Sequence, residues 1–276
     1  NDQATTDAVR QKQFSDTANA AVAYANNATL LNPNNFANWF SLGTVFETLA
    51  QYKVTGSYEK AVESYDKALT LNKSNPAITL VKARLEAVHG NYDGAKRLIG
   101  EALVQKNNYT DAIYLLSQIQ VTEGDISSAI SSIEQATLVD PSNPLIFFQL
   151  GLLEYNNKDF AGAASAFERA VALQSSYANA KYFLGLSYEK LDRVDDAIKL
   201  FIDLRKSNPE SKEIELILTN LQAGKSSFTD AVPPIDDQPE KRKEPPLKEK
   251  ETTSSASSDD SLDTTSEDNS GSDATQ

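Results

Sequence analysis

The sequence predicts an all-α protein, a solenoid of stacked helix–turn–helix units followed by a disordered C-terminal tail. Three observations carry that expectation. Rows of similar residues recur every 34 positions through the middle of the chain. Apolar residues within each period are spaced as on one face of a helix. Composition changes sharply near Ser226, where Pro, Ser, Thr, Asp, Glu and Lys take over.

The repeat is read first, because a fixed period of this length signals a solenoid. Ala61, Ala95, Ala129, Ala163 and Ala197 form one row, and Ala68, Ala102, Ala136, Ala170 and Leu204 a second. Tyr65, Ile99, Ile133, Phe167 and Phe201 form a third, so small, bulky and small residues alternate in register. The small residues let neighbouring helices approach, and the bulky one fills the space left over. In the fourth unit Phe147, Leu150 and Gly151 share a helical face. Asn157-Lys158-Asp159 is a turn, and Ala163, Ala166, Phe167 and Ala170 form the apolar face of a second helix. Pro76 and Pro144 open helices, where a missing N–H costs little.

These residues place five units at 35–75, 76–109, 110–143, 144–177 and 178–211. The first carries six extra residues around Gln51 to Gly56. Residues 1–34 make a partial repeat. Ala21, Ala25, Ala28 and Leu31-Asn32-Pro33 look like its second helix, and the polar stretch from Thr6 to Phe14 is either its first helix or degenerate. After the last unit, Ile214, Ile217, Leu218 and Leu221 lie on one face of a helix within 212–225, which caps the open end as a solenoid requires. Residues 226–276 are the tail. Such a segment cannot bury enough apolar area to offset its ordering entropy. From Asp230 onward it holds 13 acidic and 5 basic residues, so it carries most of the net charge of −13. It reads as a linker, a solubilising brush or a phosphorylatable segment.

The pattern resembles the tetratricopeptide repeat. The first unit reads Trp39, Leu42-Gly43, Phe46, Ala61, Tyr65 and Ala68. The fifth reads Leu184-Gly185, Tyr188, Ala197, Phe201 and Pro209, and the third has Ala129, Ala136 and Asp140-Pro141-Ser142-Asn143. The likeness covers Asp16 to Ser211. It departs at the insertion, at Ala83 and Ser117 in the glycine slot, and at Leu204 in the last alanine slot. The resemblance implies a right-handed superhelix whose first helices line a concave groove for a peptide or protein partner. By register, the groove positions are Phe40, Leu80, Tyr114, Phe148 and Tyr182. Thr44, Arg84, Gln118, Leu152 and Leu186 lie one turn on, with Glu47, Tyr155 and Glu189 beyond them. The expected binding set is Phe40, Arg84, Tyr114, Gln118, Phe148, Leu152, Tyr155, Tyr182 and Leu186. Aromatic and Arg side chains are the usual anchors of binding energy. The competing expectation is that the rings pack on the neighbouring unit as core. The chaperone carboxylate clamp of some relatives needs Lys and Asn where this chain has Phe40, Thr44 and Val81, so that ligand is not expected.

Half unit, insertion and polar tail together are similar to the C-terminal repeat regions of large bacterial membrane proteins, including O-antigen ligase-like proteins. That likeness implies an upstream membrane region and an alternative role as a structural or assembly module of an envelope protein. The chain has no methionine and opens on Asn1, which reads as a segment of a longer or processed protein. No run approaches the roughly 20 apolar residues of a membrane helix, so no direct insertion is expected.

An enzyme is not expected, nor any cofactor. With no Cys and one His, thiolate chemistry and cysteine metal sites are excluded. His89, before Gly90-Asn91, reads as a surface turn residue, because nothing nearby in sequence completes a triad or metal set. Carboxylates such as Asp192, Asp195 and Asp196 read as solvated surface. The acidic balance, 39 against 26, argues against nucleic acid, whose phosphates need a basic face.

Overall fold

The computed structural model describes residues 2–231 and 238–248. Twelve α-helices make up the described fold, with no strand among the described residues. They are α1 (Asp2–Leu31), α2 (Phe36–Gln51), α3 (Ser57–Leu71), α4 (Pro76–Val88), α5 (Tyr92–Gln105) and α6 (Thr110–Glu123). There follow α7 (Ile126–Val139), α8 (Pro144–Asn156), α9 (Phe160–Leu173), α10 (Ala178–Lys190), α11 (Val194–Ser207) and α12 (Lys212–Gln222). A single 3-10 turn, Pro239–Lys241, follows.

Each unit is an antiparallel pair, from α2/α3 to α10/α11, and each second helix packs on the first helix of the next unit. First helices of successive units also touch directly, α4 on α6 and α8 on α10. The first helices therefore form the inner layer of a right-handed solenoid.

Local chemistry explains the helix ends. Asn35, Asn75 and Asn143 cap α2, α4 and α8, their side-chain oxygens accepting from Ala37, Ala77 and Leu145 N–H. Asn91, Asp125 and Asp159 cap α5, α7 and α9 the same way. Pro76 and Pro144 occupy first-turn positions.

The glycine slot explains its own exceptions. A Cβ at Gly43, Gly151 or Gly185 would stand 2.5, 2.6 or 2.6 Å from the ring of Tyr65, Phe167 or Phe201. Units with an aromatic in the third row thus need glycine opposite it. Units two and three carry Ile99 and Ile133 there, and they alone have Ala83 and Ser117 in the slot. The smaller branched side chain leaves room for a Cβ.

The six extra residues of the first unit are distributed. Relative to the second unit, three lengthen α2, two lengthen the turn and one starts α3 early. The turn uses left-handed backbone at Lys53 and Gly56. Tyr58 follows it, stacks on His89 with ring centroids 3.8 Å apart, and donates to Glu86 at 3.1 Å. His89 is an exposed residue at the C-terminus of α4.

Two stretches differ from the reading of the sequence. The N-terminal region forms one unbroken helix, α1, in which Thr6–Phe14 continues into Ala21–Leu31. Ala18, Val22 and Ala25 pack against the first unit. At the C-terminal end part of the polar stretch is placed on the helices. Residues 226–231 and 238–248 pack on the solenoid, because each finds buried hydrogen-bond partners there. The rest of the expected tail, 232–237 and 249–276, lies outside the described residues.

Candidate peptide groove

The first row of expected groove positions changes character along the solenoid. Phe40 is half-buried against Tyr65, with centroids 5.5 Å apart, and Leu80 is buried. Tyr114 is half-buried. Phe148 is buried among Phe167, Tyr177 and Phe183 at 4.9–6.0 Å. Tyr182 has no exposed surface. The second row runs from open to covered: Arg84 and Gln118 are exposed, Leu152 is half-buried, and Leu186 is fully buried. Tyr155 is buried, meeting Phe160 and Phe183 edge-on. Phe148, Tyr155, Tyr182 and Leu186 thus belong to the packed core of units four and five, while Arg84, Tyr114 and Gln118 mark an open half.

The covered half is where residues 238–248 lie. The turn Pro239–Lys241 rests against α8. Arg242 then makes a two-pronged contact with Glu213 at the start of α12, Nη1 to Oε2 at 2.8 Å and Nη2 to Oε1 at 2.9 Å. Tyr182 donates its hydroxyl to the same carboxylate. Leu247 is buried in the cluster that contains Tyr182, Phe183 and Leu186. Asn179 clasps the backbone of Leu247. Its Nδ2 donates to the carbonyl at 2.9 Å, and its Oδ1 accepts the N–H at 3.0 Å.

The electrostatics follow from burial. The Arg242 and Glu213 side chains are both largely shielded from solvent, so the two-pronged pairing satisfies charges that would be costly alone. Burial, with Glu213 next in weight, pushes the Tyr182 phenol well above its usual range and keeps it a hydrogen-bond donor.

Residues 226–231 close the end of the site. Glu189, from the outer groove row, accepts from the Ser227 N–H at 2.9 Å and hydroxyl at 2.5 Å. Asn220 donates to the Ser227 and Thr229 carbonyls at 3.0 and 2.7 Å.

The reading of the sequence missed Asn179, Glu213, Arg242 and Leu247. Two signals were present. Asn179 and Glu213 stand 34 positions apart, at one place in successive turns of the solenoid. Leu247, beside Pro245-Pro246, is an isolated apolar residue in a charged stretch.

Similarity to known proteins agrees with the geometry. The sequence profile of the tetratricopeptide repeat matches residues 38–75, and matches again over 114–178 and 148–212. Residues 38–75 and 114–212 are tetratricopeptide repeats. The intervening pair α4/α5 has the same helix–turn–helix geometry. BBSome complex member BBS4 of Bos taurus is 23% identical over 200 residues, 71% of this chain and 37% of that protein. The chain thus spans little more than a third of that relative's length. Among solved structures, the C-terminal part of a TPR repeat-containing protein from Cytophaga hutchinsonii superposes with a TM-score of 0.62. It is 17% identical, covering 76% of this chain and 84% of that one. YrrB, described as a TPR protein with an unusual peptide-binding site, superposes with a TM-score of 0.51. It is 20% identical, covering 69% of this chain and 95% of that one. At these identities the structural likeness establishes the tetratricopeptide solenoid fold. Tetratricopeptide proteins are in general non-catalytic scaffolds that bind protein partners. Among the described residues no His, Cys, Asp or Glu group is arranged to hold a metal ion, and no helix is long and apolar enough to cross a membrane.

Proposed function

We propose that this chain is a non-catalytic interaction scaffold whose concave groove binds an extended peptide segment of a protein partner. The observation that carries the reading is the held segment on the first-helix layer, where Asn179 engages peptide backbone and Glu213, itself accepting from Tyr182, engages the Arg242 side chain. A groove built this way recognises main chain by paired hydrogen bonds and sequence by pockets and charges, the general division of labour in peptide recognition. The open half, with Arg84, Tyr114 and Gln118, extends the surface toward the N-terminus. YrrB's described peptide-binding site is consistent with such a use of the fold.

The test is selection of peptides from a displayed random library on the whole chain. Each selected peptide is then titrated against an Arg84→Glu, Gln118→Arg variant and against Asn179→Ala, with helicity checked by circular dichroism. The expected result is a loss of affinity of at least about tenfold in one variant or the other, in line with removal of an interface anchor. Selected peptides indifferent to both variants would move binding off the concave face and overturn the proposal.

A further inference from the structure

The C-terminal half of the groove is already occupied, and its occupant specifies a ligand. Arg242 has φ −68° and ψ 147°, the polyproline-type backbone, and the chain bends at Lys243-Glu244 and again at Pro246-Leu247. The held segment is thus a bent strip that presents Arg242 and Leu247, five positions apart, as side-chain anchors. Each anchor has a dedicated receptor. Glu213, with Tyr182 donating to it, offers a carboxylate to a planar guanidinium, a pairing that an ammonium matches poorly. The apolar floor of units four and five takes the leucine, and Asn179 fixes register by grasping that residue's backbone.

We infer that residues 238–248 are an intramolecular ligand of the groove, and that the partner it displaces or yields to is a proline-containing peptide with an arginine five residues before a leucine. This rests on the groove reading above and goes beyond it by naming both the ligand class and the competitor. The main-chain contacts of Asn179 are indifferent to sequence, so selectivity resides in the Arg and Leu anchors. The competition is a matter of effective concentration. A tethered segment sees its site at about millimolar concentration. A free peptide of equal intrinsic affinity then binds only the fraction of molecules whose groove has opened. Ordering the backbone of the segment opposes its few anchoring contacts, so the docked state is exchangeable.

The experiment uses a fluorescein-labelled synthetic peptide of residues 238–248 and fluorescence polarisation. Three full-length proteins are compared: the parent chain, a variant with Arg242→Glu and Leu247→Asp that releases its own segment, and that variant with Asn179→Ala added. The released variant is expected to bind the peptide about tenfold more tightly than the parent, the gain set by freeing a tethered competitor. Adding Asn179→Ala, or changing Arg or Leu in the peptide, is expected to abolish that gain. Equal binding by parent and released variant, or no binding by the released variant, overturns the inference. Should library-selected peptides depend on the groove while none competes with the 238–248 peptide, the scaffold reading stands and only this inference falls.

A second measurement avoids variants that could disturb folding. Hydrogen exchange on the parent chain is expected to show the Leu247 amide slowed, since its N–H is bonded to Asn179. Exchange at the free-peptide rate overturns the inference. Protection that appears only with concentration-dependent dimerisation overturns it too, because the segment would then be exchanged between copies.

Discussion

Phe167 lies so close over Gly151 that a Cβ there would stand 2.6 Å from its ring. At the residue scale this pairing of glycine with an aromatic is a quantitative claim. Gly151→Ala gains helix propensity, about 1 kcal/mol, but overpacks the ring, at about 1–3 kcal/mol. Phe167→Ile alone leaves a void. The double substitution recreates the Ala83/Ile99 arrangement of the second unit. It is expected to be more stable than the sum of the single variants predicts, by about 1–2 kcal/mol in a denaturation double-mutant cycle. Additive effects would show that the slot and the third row are independent.

Glu154 makes a second residue-scale case. Burial, then the charges of Asp159 and Glu134, push its pKa up to about 7, and Oε2 has no hydrogen-bond partner among the described residues. A carboxyl whose folded pKa lies above its unfolded one binds its proton more tightly in the native state. Its contribution is therefore fully present below the usual carboxylate range and is lost as pH rises through about 7. Solvent screening of a half-exposed group reduces the effect to on the order of 1 kcal/mol. Glu154→Gln is expected to raise Tm by about 2–4 °C at pH 8 and to leave it unchanged at pH 4, measured by calorimetry. A gain of equal size at both pH values would mean the carboxylate is not the cause.

At the element scale, α12 shows one helix serving two ends. Ile214, Ile217, Leu218 and Leu221 bury the face that closes the last repeat, as their spacing foretells. The flank of that face, beside Ile217, offers Glu213 to Arg242 and Asn220 to the returning chain. A charge in the buried stripe has no partner. Ile217→Asp is thus expected to cost about 3–5 kcal/mol in chemical denaturation, while Glu215→Ala on the exposed side stays within about 0.5 kcal/mol. Similar small losses in both would show that α12 is not a structural cap. The insertion is an element-scale feature as well. It leaves the unit's packing intact, because half its length goes into extending α2 rather than into a loop.

Over the whole molecule the core is a chain of linked clusters, not one globule. Each cluster joins neighbouring units, as expected when stability is a sum of nearest-neighbour interfaces. The largest spans units four and five, α12 and Leu247. That is also where the first-helix rows pass from exposed polar groups to buried rings. The same positions therefore do two jobs along one solenoid, open surface near Arg84 and Gln118 and packed floor near Tyr182 and Leu186. The registry of the repeat named those positions, but it could not say which were covered.

What the sequence alone determined was everything local and periodic. Helix starts at Asn–Pro pairs, small–bulky–small rows and the apolar stripe of α12 are set by neighbours within one turn or one period, so residue type and spacing are enough to read them. Even the departures at Ala83 and Ser117 are written in the sequence, as partners of Ile99 and Ile133. The fate of residues 226–231 and 238–248 was decided only by the tertiary structure. Their composition, taken by itself, lacks the apolar area to order a chain. Their partners lie far away, with Asn179 and Leu247 separated by 68 residues. A polar segment is ordered there by receptors that exist only once the solenoid has formed: a clasping amide, a shielded carboxylate and a leucine-sized apolar floor.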